Sequence, residues 1–439
     1  MNSLKEPELK AALVQQHTLS SKLLPGLWLL VLLLSAYMPK TIGAVPAVFG
    51  LTGLWIYFKD GGWKDVSRLF GGRFRLLGFS VVLFLLYMGL SNVFTHFPEA
   101  AVKRTVGLLI IFVLSVISLM LVTRFDVSVS RAFLPWVPLA VFLGILFNIV
   151  ESFLGYPLYA LNLDSHDSIG AYLVNRSVSV LMLMAVPSLL IIRAVFDGVN
   201  AKALQAIFIL SLLLLIQQSA SETAKVAVVV IAVSTLLLRV LGPLFLRFCG
   251  ICIVIGMLAA PFAAPPAYQY VAKDIDQSSL FGATGAHGAQ RLEIYDFVAR
   301  YSMNKPILGH GLDAAREIKD FDSKGKFMQE SQISHPHNFA LQLWLELGLI
   351  GVLLAGFFIQ SLLASLGKRE SLSLSYFSVF LIGLCAYSFS YGLWQAWMIA
   401  AIVVAVMLLR MISRAYPDAN TRREQQPDAY ADQAKINGA

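Results

Sequence analysis

Charge is scarce in this sequence: of 439 residues only 14% are Asp, Glu, Lys or Arg, against about a quarter in ordinary soluble domains. Set beside 57% hydrophobic residues and a mean hydropathy of +0.71, that scarcity excludes a water-soluble protein. Cysteine is nearly missing as well. Cys249, Cys252 and Cys385 all sit inside apolar runs, so neither a disulfide framework nor a zinc ribbon is available. Cys249 and Cys252 have CxxC spacing, but Phe248, Gly250, Ile251 and Ile253 around them offer no base or charge to activate a thiolate, and the pair reads as packing. There is no GxxxxGK[ST] phosphate loop and no Rossmann glycine fingerprint, which leaves ATP-driven chemistry without a motif. No period of about 20 to 50 residues repeats, and the two halves differ in loop length, so an inverted-repeat transporter is not visible.

What the chain has in quantity is apolar sequence. A bilayer takes about 20 apolar residues per helical span. Windows between charged breaks predict twelve spans, near 23–38, 42–58, 76–92, 105–123, 132–150, 172–192, 203–217, 226–238, 243–262, 338–364, 373–389 and 394–412. The fold class expected is therefore all-α, a polytopic integral membrane protein with one long, partly helical loop. The first run follows Lys5, Lys10 and Lys22 without a small-residue cleavage site, and is expected to be a retained span.

The net charge of +8 would raise nucleic acid as a partner in a soluble protein. In a membrane protein the positions of the basic residues matter more, and no nucleic-acid partner is expected. With the N-terminus inside, 21 of the 34 Lys and Arg fall on the inner side and 13 on the outer. Eight of those 13 lie in one long loop, and long loops translocate regardless of charge. Both termini are thus expected inside. The chain divides into a transmembrane region of about nine helices over 1–262, a long outer loop over 263–336, a second helical region over 337–413, and a polar tail over 414–439 expected to be disordered.

Polar residues collect on the outer side. Arg176, in Val174-Asn175-Arg176, opens the sixth span, where its bland role is a snorkelling anchor. Lys225 closes a polar hairpin from Gln217, where its bland role is a helix pair with Glu222. In the long loop, Leu292, Tyr295 and Ala299 with Ile294 and Val298 form a helical stripe that predicts a helix starting at Gln290 and Arg291. Placed there, Arg291 would add a guanidinium fork to a helix N-terminus, which suits a phosphate. A salt bridge to Glu293 or Asp296 is the bland alternative.

Asn304 to Gly311 is turn-rich, and Gly309 and Gly311 around His310 permit close backbone approach. Pro336 is predicted to open the tenth span, with His337 and Asn338 in its first turn. An imidazole held there can accept or donate a proton near neutral pH. Glu346 lies inside that span, and a structural hydrogen bond to a neighbouring helix is its default role. His335 and His337 lack a Cys or clear acidic third ligand, so no metal is expected. Asp274-Ile275-Asp276 has the form of a DxD motif, but its outer position reads as a solvated pair. Tyr391, Trp394 and Trp397 read as an interfacial aromatic belt, with a sugar-stacking platform as the alternative.

The ordered series Arg291, then Pro306-Ile307-Leu308-Gly309-His310-Gly311, then His337-Asn338 and Glu346-Leu347-Gly348 through Gly351, resembles the lipopolysaccharide O-antigen ligase family within the wider group of O-antigen ligases and polymerases. The match is tight over about 60 residues, and the span layout extends it loosely. Val174-Asn175-Arg176 looks like the family's basic position at the sixth span, while Lys225 stands where a Ser-Arg pair is expected, a point charge replacing a planar fork.

The resemblance implies transfer of a finished polysaccharide from undecaprenyl diphosphate to the sugar core of lipid A, at the periplasmic face of a bacterial inner membrane, with no cofactor. Arg176, Lys225 and Arg291 would hold the diphosphate, His337 would deprotonate the acceptor hydroxyl, and Gln290, His310 and Asn338 would contact substrate. Displacement by a single base would invert the anomeric centre. Two alternatives stay open: a polymerase that uses the same donor, and a proton-coupled exporter in which Arg176 and His337 bind and relay.

Overall fold

The computed structural model describes residues 26–60, 72–161, 169–274, 282–319, 327, 333–366 and 371–417. Among the described residues there is no strand. The long helices are α1 (Gly26–Tyr37), α2 (Ala44–Asp60), α3 (Arg75–Ser91), α4 (Pro98–Leu121), α5 (Val127–Phe133), α6 (Trp136–Phe153), α7 (Asn175–Val195), α8 (Gly198–Gln218), α9 (Glu222–Leu241), α10 (Pro243–Asp274), α11 (Gly282–Ser302), α12 (Phe339–Ser365), α13 (Ser371–Phe389) and α14 (Ala396–Ala415). Among the described residues, ten helical segments are long and apolar enough to cross a bilayer. The shorter apolar helices α1 and α3 stand where the first and third spans are predicted. The protein is an all-α polytopic membrane protein.

Hydrocarbon cannot hydrogen-bond a backbone, so helices that satisfy their own amides are what such a sequence can form there. They associate by close packing, which favours small residues at contacts. A Cβ placed on Gly50 of α2 would lie 2.7 Å from the Leu114 carbonyl oxygen of α4, and one on Gly144 of α6 would lie 2.6 Å from Ala36 Cβ at the end of α1. One large core surrounds the buried helices α7 and α14, built from residues such as Leu181, Leu183, Val404 and Leu408. A second joins α3, α9, α10 and α12 through Met88, Leu238, Met257 and Trp344. Opposite these contacts, Val229, Val233, Leu236 and Val240 of α9 and Leu244, Phe248, Ile251 and Ile255 of α10 are exposed at helical spacing, the stripe a lipid-facing helix presents.

Helix α12 is broken at Gly348 (φ 59°, ψ −164°), a conformation outside the helical region. A break inside a span strands carbonyls and amides, and here the loop that precedes the span supplies partners. His310 N donates to Leu345 O (2.8 Å) and Gly311 N to Glu346 O (2.8 Å), while Leu349 N donates to Pro306 O (2.8 Å) and Ile350 N to Ile307 O (3.3 Å). The Tyr87 hydroxyl on α3 adds a bond to Leu347 O at 3.0 Å. Gly309 (φ 73°) and Gly348 have no room for a Cβ, because each would meet the other segment's backbone within 2.6 Å. The glycines of the two sequence motifs are thus two halves of one contact.

Two local expectations are corrected. Helix α11 begins at Gly282, so Arg291 sits in its interior and draws nothing from a helix N-terminus; the apolar stripe marks only the part that packs on α10 and α12 through Ile294, Val298 and Ala299. Helix α12 begins at Phe339, not at Pro336. Asn338 is its N-cap, accepting from Ala340 N (3.0 Å) and Leu341 N (3.1 Å) through Oδ1, and satisfying two otherwise stranded amides outweighs the positional preference of proline. Lys5, Lys10, Lys22, Lys368, Arg369, Asp276 and the tail beyond Pro417 lie outside the described residues.

Candidate functional site

Helices α7 and α14 present their N-terminal ends, and α4 its second turn, to one cavity of about 270 Å³, whose wall includes Lys40, Arg104, Arg176, Arg316 and His335. Asp313 is the carboxylate among its lining residues, so the site is strongly cationic. Helix N-termini add positive potential to that of the side chains.

Arg176 lies in the first turn of α7. Arg291 projects from α11 beside the His335–His337 segment, near enough for its charge to oppose protonation of both imidazoles. Neither guanidinium has a carboxylate partner among the described residues. The partners foreseen for Arg291 are engaged elsewhere: Asp296 chelates Arg300 Nε at 2.9 and 3.0 Å, and Glu293 accepts from Tyr268 Oη (2.8 Å) and Phe327 N (2.9 Å). Arg176 is on the cavity wall, whereas Arg291 is not among the residues that line it and stands behind His335. Uncompensated cations repel one another, and an anion removes that cost.

His337 adopts a left-handed backbone (φ 54°), uncommon for a residue with a Cβ. The conformation is over-determined: Tyr295 Oη donates to His337 O at 3.1 Å, and the ring's Nδ1 meets Ser390 O at 2.9 Å. A carbonyl only accepts, so Nδ1 carries the proton and Nε2 holds a free lone pair. Nε2 has no hydrogen-bond partner among the described residues. Burial, reinforced by Arg291 and eased by Ser390, lowers the His337 pKa to about 4, which leaves the ring neutral at pH 7. His335, its ring centroid 4.1 Å from that of His337, is lowered to about 3 by burial and by the charges of His337, Arg316, Arg176 and Arg291.

Of the predicted site residues Arg176 alone lines the cavity; His337 and Arg291 stand beside its His335 wall, and the rest are placed apart. Lys225 pairs with Glu222 at 2.9 Å, its bland role. His310 is buried, with Nε2 3.3 Å from Tyr301 O, and its backbone docks on the break in α12. Gln290 donates to Phe327 O at 3.3 Å and tethers the loop. Asn338 caps α12.

Glu346 fills its default role. Fully buried, it accepts from Trp394 Nε1, from Asp313 N (3.0 Å) and from Gln342 Nε2 (3.1 Å), which ties α12 to both loops that frame the cavity. The aromatic belt is corrected by the same contacts: Trp394 and Trp397 are buried and line the cavity instead of facing lipid. Tyr391 also turns inward, its hydroxyl 3.2 Å from Ser179 Oγ and from Asn175 O.

Sequence reasoning missed Arg104 and Asp313. They pair at 2.7 Å although 209 residues apart, and Asp313 also holds Arg316 at 3.2 Å. The available signal was a pair of basic residues, Lys103 and Arg104, at the outer end of an otherwise apolar span.

Residues 205–356, which include Arg291, the Gly309 and Gly348 contact and His337, match the family model described as O-Antigen ligase. Three relatives carry the name "Putative polysaccharide ligase". That of Rickettsia conorii is 28% identical over 256 residues, covering 56% of this chain and 59% of the relative. That of Rickettsia felis is 28% identical over 278 residues, and that of Rickettsia typhi 27% over 290, each covering 62% of this chain and 66% of the relative. The chain thus spans 59 to 66% of the length of these relatives. The resemblance to the O-antigen ligase family drawn from the residue series is borne out by both comparisons.

Proposed function

We propose that the protein is a glycosyltransferase that joins O-antigen polysaccharide, carried on undecaprenyl diphosphate, to the core oligosaccharide of lipid A at the periplasmic face of the bacterial inner membrane. Both termini then lie in the cytoplasm, and the loop over 263–336 carries active-site residues. The observation that carries the reading is the pairing of a neutral imidazole, its Nδ1 proton spent on Ser390 O, with the uncompensated Arg176 and Arg291.

A sugar diphosphate needs no ATP to be a donor, because the diphosphate itself is the leaving group. His337 Nε2 accepts the proton of the acceptor hydroxyl as that oxygen attacks the anomeric carbon. The bond from that carbon to the diphosphate oxygen breaks, and Arg176 and Arg291 stabilise the charge that develops there. Attack opposite the leaving group inverts the anomeric centre. Lys225 would hold the diphosphate only after leaving Glu222, and His310, Gln290 and Asn338 support the site through the backbone contacts already described.

The test supplies purified protein with polymer-charged undecaprenyl diphosphate and rough lipopolysaccharide, with chelator and without ATP. Long-chain lipopolysaccharide is the expected product. Polymer that lengthens on the lipid carrier and never reaches the lipid A core would move the assignment to a polymerase, and activity restored only by a divalent ion would make His335 and His337 ligands.

A further inference from the structure

A second cavity, of about 950 Å³, adjoins the first. The two share Arg104, Asp313, Arg316, Trp394 and Ala396 as a common wall. Beyond that wall the second cavity follows one face of α4 through Gly107, Leu108 and Ile111, away from the charged rim and along a helix whose neighbouring residues Val102, Val106, Ile110 and Val113 are exposed as lipid-facing residues are. Gly107 is the informative position: a Cβ built there meets nothing within 4 Å. Gly89 and Gly256, also inside helices, likewise meet nothing, but of these three Gly107 is the one that lines the cavity.

The charges of the two cavities differ in kind. Lys103, Arg104 and Arg316 on the second are matched in number by Glu99, Asp313 and Glu317, so it offers no net attraction for an anion. The first has Lys40, Arg104, Arg176 and Arg316 against Asp313. An amphiphile with an anionic head and an apolar tail joined without a spacer would therefore seat its head in the first and its tail in the second, crossing at Arg104. A polyprenyl diphosphate is built that way. A glycolipid acceptor is not, because core sugars separate its acyl chains from the hydroxyl that reacts.

Resting on the function proposed above, we infer that the α4 groove beside Gly107 seats the isoprenoid chain of the donor, and that Arg104 meets the phosphate nearest that chain. Asp313, which pairs with Arg104 and Arg316 at once, keeps both guanidiniums in place when the head is not there.

The experiment compares binding of undecaprenyl diphosphate and geranyl diphosphate to full-length protein in nanodiscs. The wild type is expected to prefer the long chain by at least about tenfold, since each buried methylene adds attraction. Gly107→Trp fills the groove without displacing a neighbour, and is expected to cut that preference about tenfold while geranyl diphosphate binds as before. Gly107→Leu, a smaller plug, gives the same trend should the tryptophan variant lose its wild-type melting temperature. Arg104→Gln is expected to weaken both ligands equally. An unchanged long-chain preference in both Gly107 variants, or unchanged affinity in Arg104→Gln, overturns the inference and leaves the proposed reaction standing. A wild type that binds neither lipid overturns both.

Discussion

Gly309 and Gly348 meet backbone to backbone: a Cβ on Gly348 would lie 2.7 Å from Gly309 N, and one on Gly309 would lie 2.6 Å from Gly348 N. Both have positive φ, so an added methyl group is opposed by backbone conformation as well as by space. The contact sets where the loop before α12 sits, and with it Asp313 and the frame of the cavity.

Gly348→Ala is therefore expected to destabilise by about 1 to 3 kcal/mol from backbone strain alone, with the clash against Ile307 O added. Gly107→Ala, which meets open space, is the matched control and should leave stability nearly unchanged. Thermal melting in detergent of the two variants checks the difference.

His337→Asn separates the base from the scaffold. Asparagine tolerates a left-handed backbone and offers a side-chain N–H toward Ser390 O, but it has no imidazole to accept a proton. Donor affinity and melting temperature should stay close to wild type while turnover falls by about 10² to 10⁴-fold. Turnover within threefold of wild type would remove His337 as the base.

Because Arg291 opposes protonation of His337, its removal should raise the histidine's pKa from about 4. Carbon-13-labelled histidine observed by NMR in Arg291→Gln should titrate at higher pH than in the wild type. Bound diphosphate, an anion, should act in the same direction and make the ring a better base once the donor is present. A pKa that does not move in either experiment would show that burial alone sets it.

The arginines should be unequal to Lys225. Arg176→Ala and Arg291→Ala are expected to weaken donor binding by more than tenfold, and Arg291→Lys to restore it only in part if the contact is bidentate. Lys225, already paired with Glu222, should tolerate alanine with less than a threefold loss. Dissociation constants for undecaprenyl diphosphate measured at one salt concentration make the comparison.

Orientation is checked at two exposed positions in a cysteine-free background. Asn304→Cys, in the turn after α11, should react with an impermeant maleimide added to intact spheroplasts, and Asn200→Cys, at the start of α8, should not. The reverse pattern would invert the placement of both termini and of the cavity.

The helices were legible because hydropathy over about 20 residues is set by the solvent and needs no knowledge of neighbours. Local chemistry was legible less evenly. The stripe from Leu292 to Ala299 was read correctly as a helix, but its start was misplaced because the Gly- and Ala-rich stretch from Gly282 has no apolar stripe to continue. Asn338 and Pro336 both carry helix-start signals, and only the geometry of the cap decides between them. Gly309 and Gly348 each announced a close approach, yet neither sequence position says what approaches it. The partnership of Arg104 and Asp313 was beyond reach for the same reason, since it spans 209 residues and the helices α5 to α11.

Glu346 draws its hydrogen bonds from residues that emerge at different times during synthesis. Asp313 lies 33 residues before it and Trp394 48 residues after it. When α12 first leaves the ribosome and enters the bilayer, its carboxylate has the loop amide within the same nascent chain but not yet the indole. The helix is thus committed to the membrane with its polar group incompletely met, and the segment joining the last two spans completes it. A chain cut short before Trp394 leaves that acid inside the span without its indole partner.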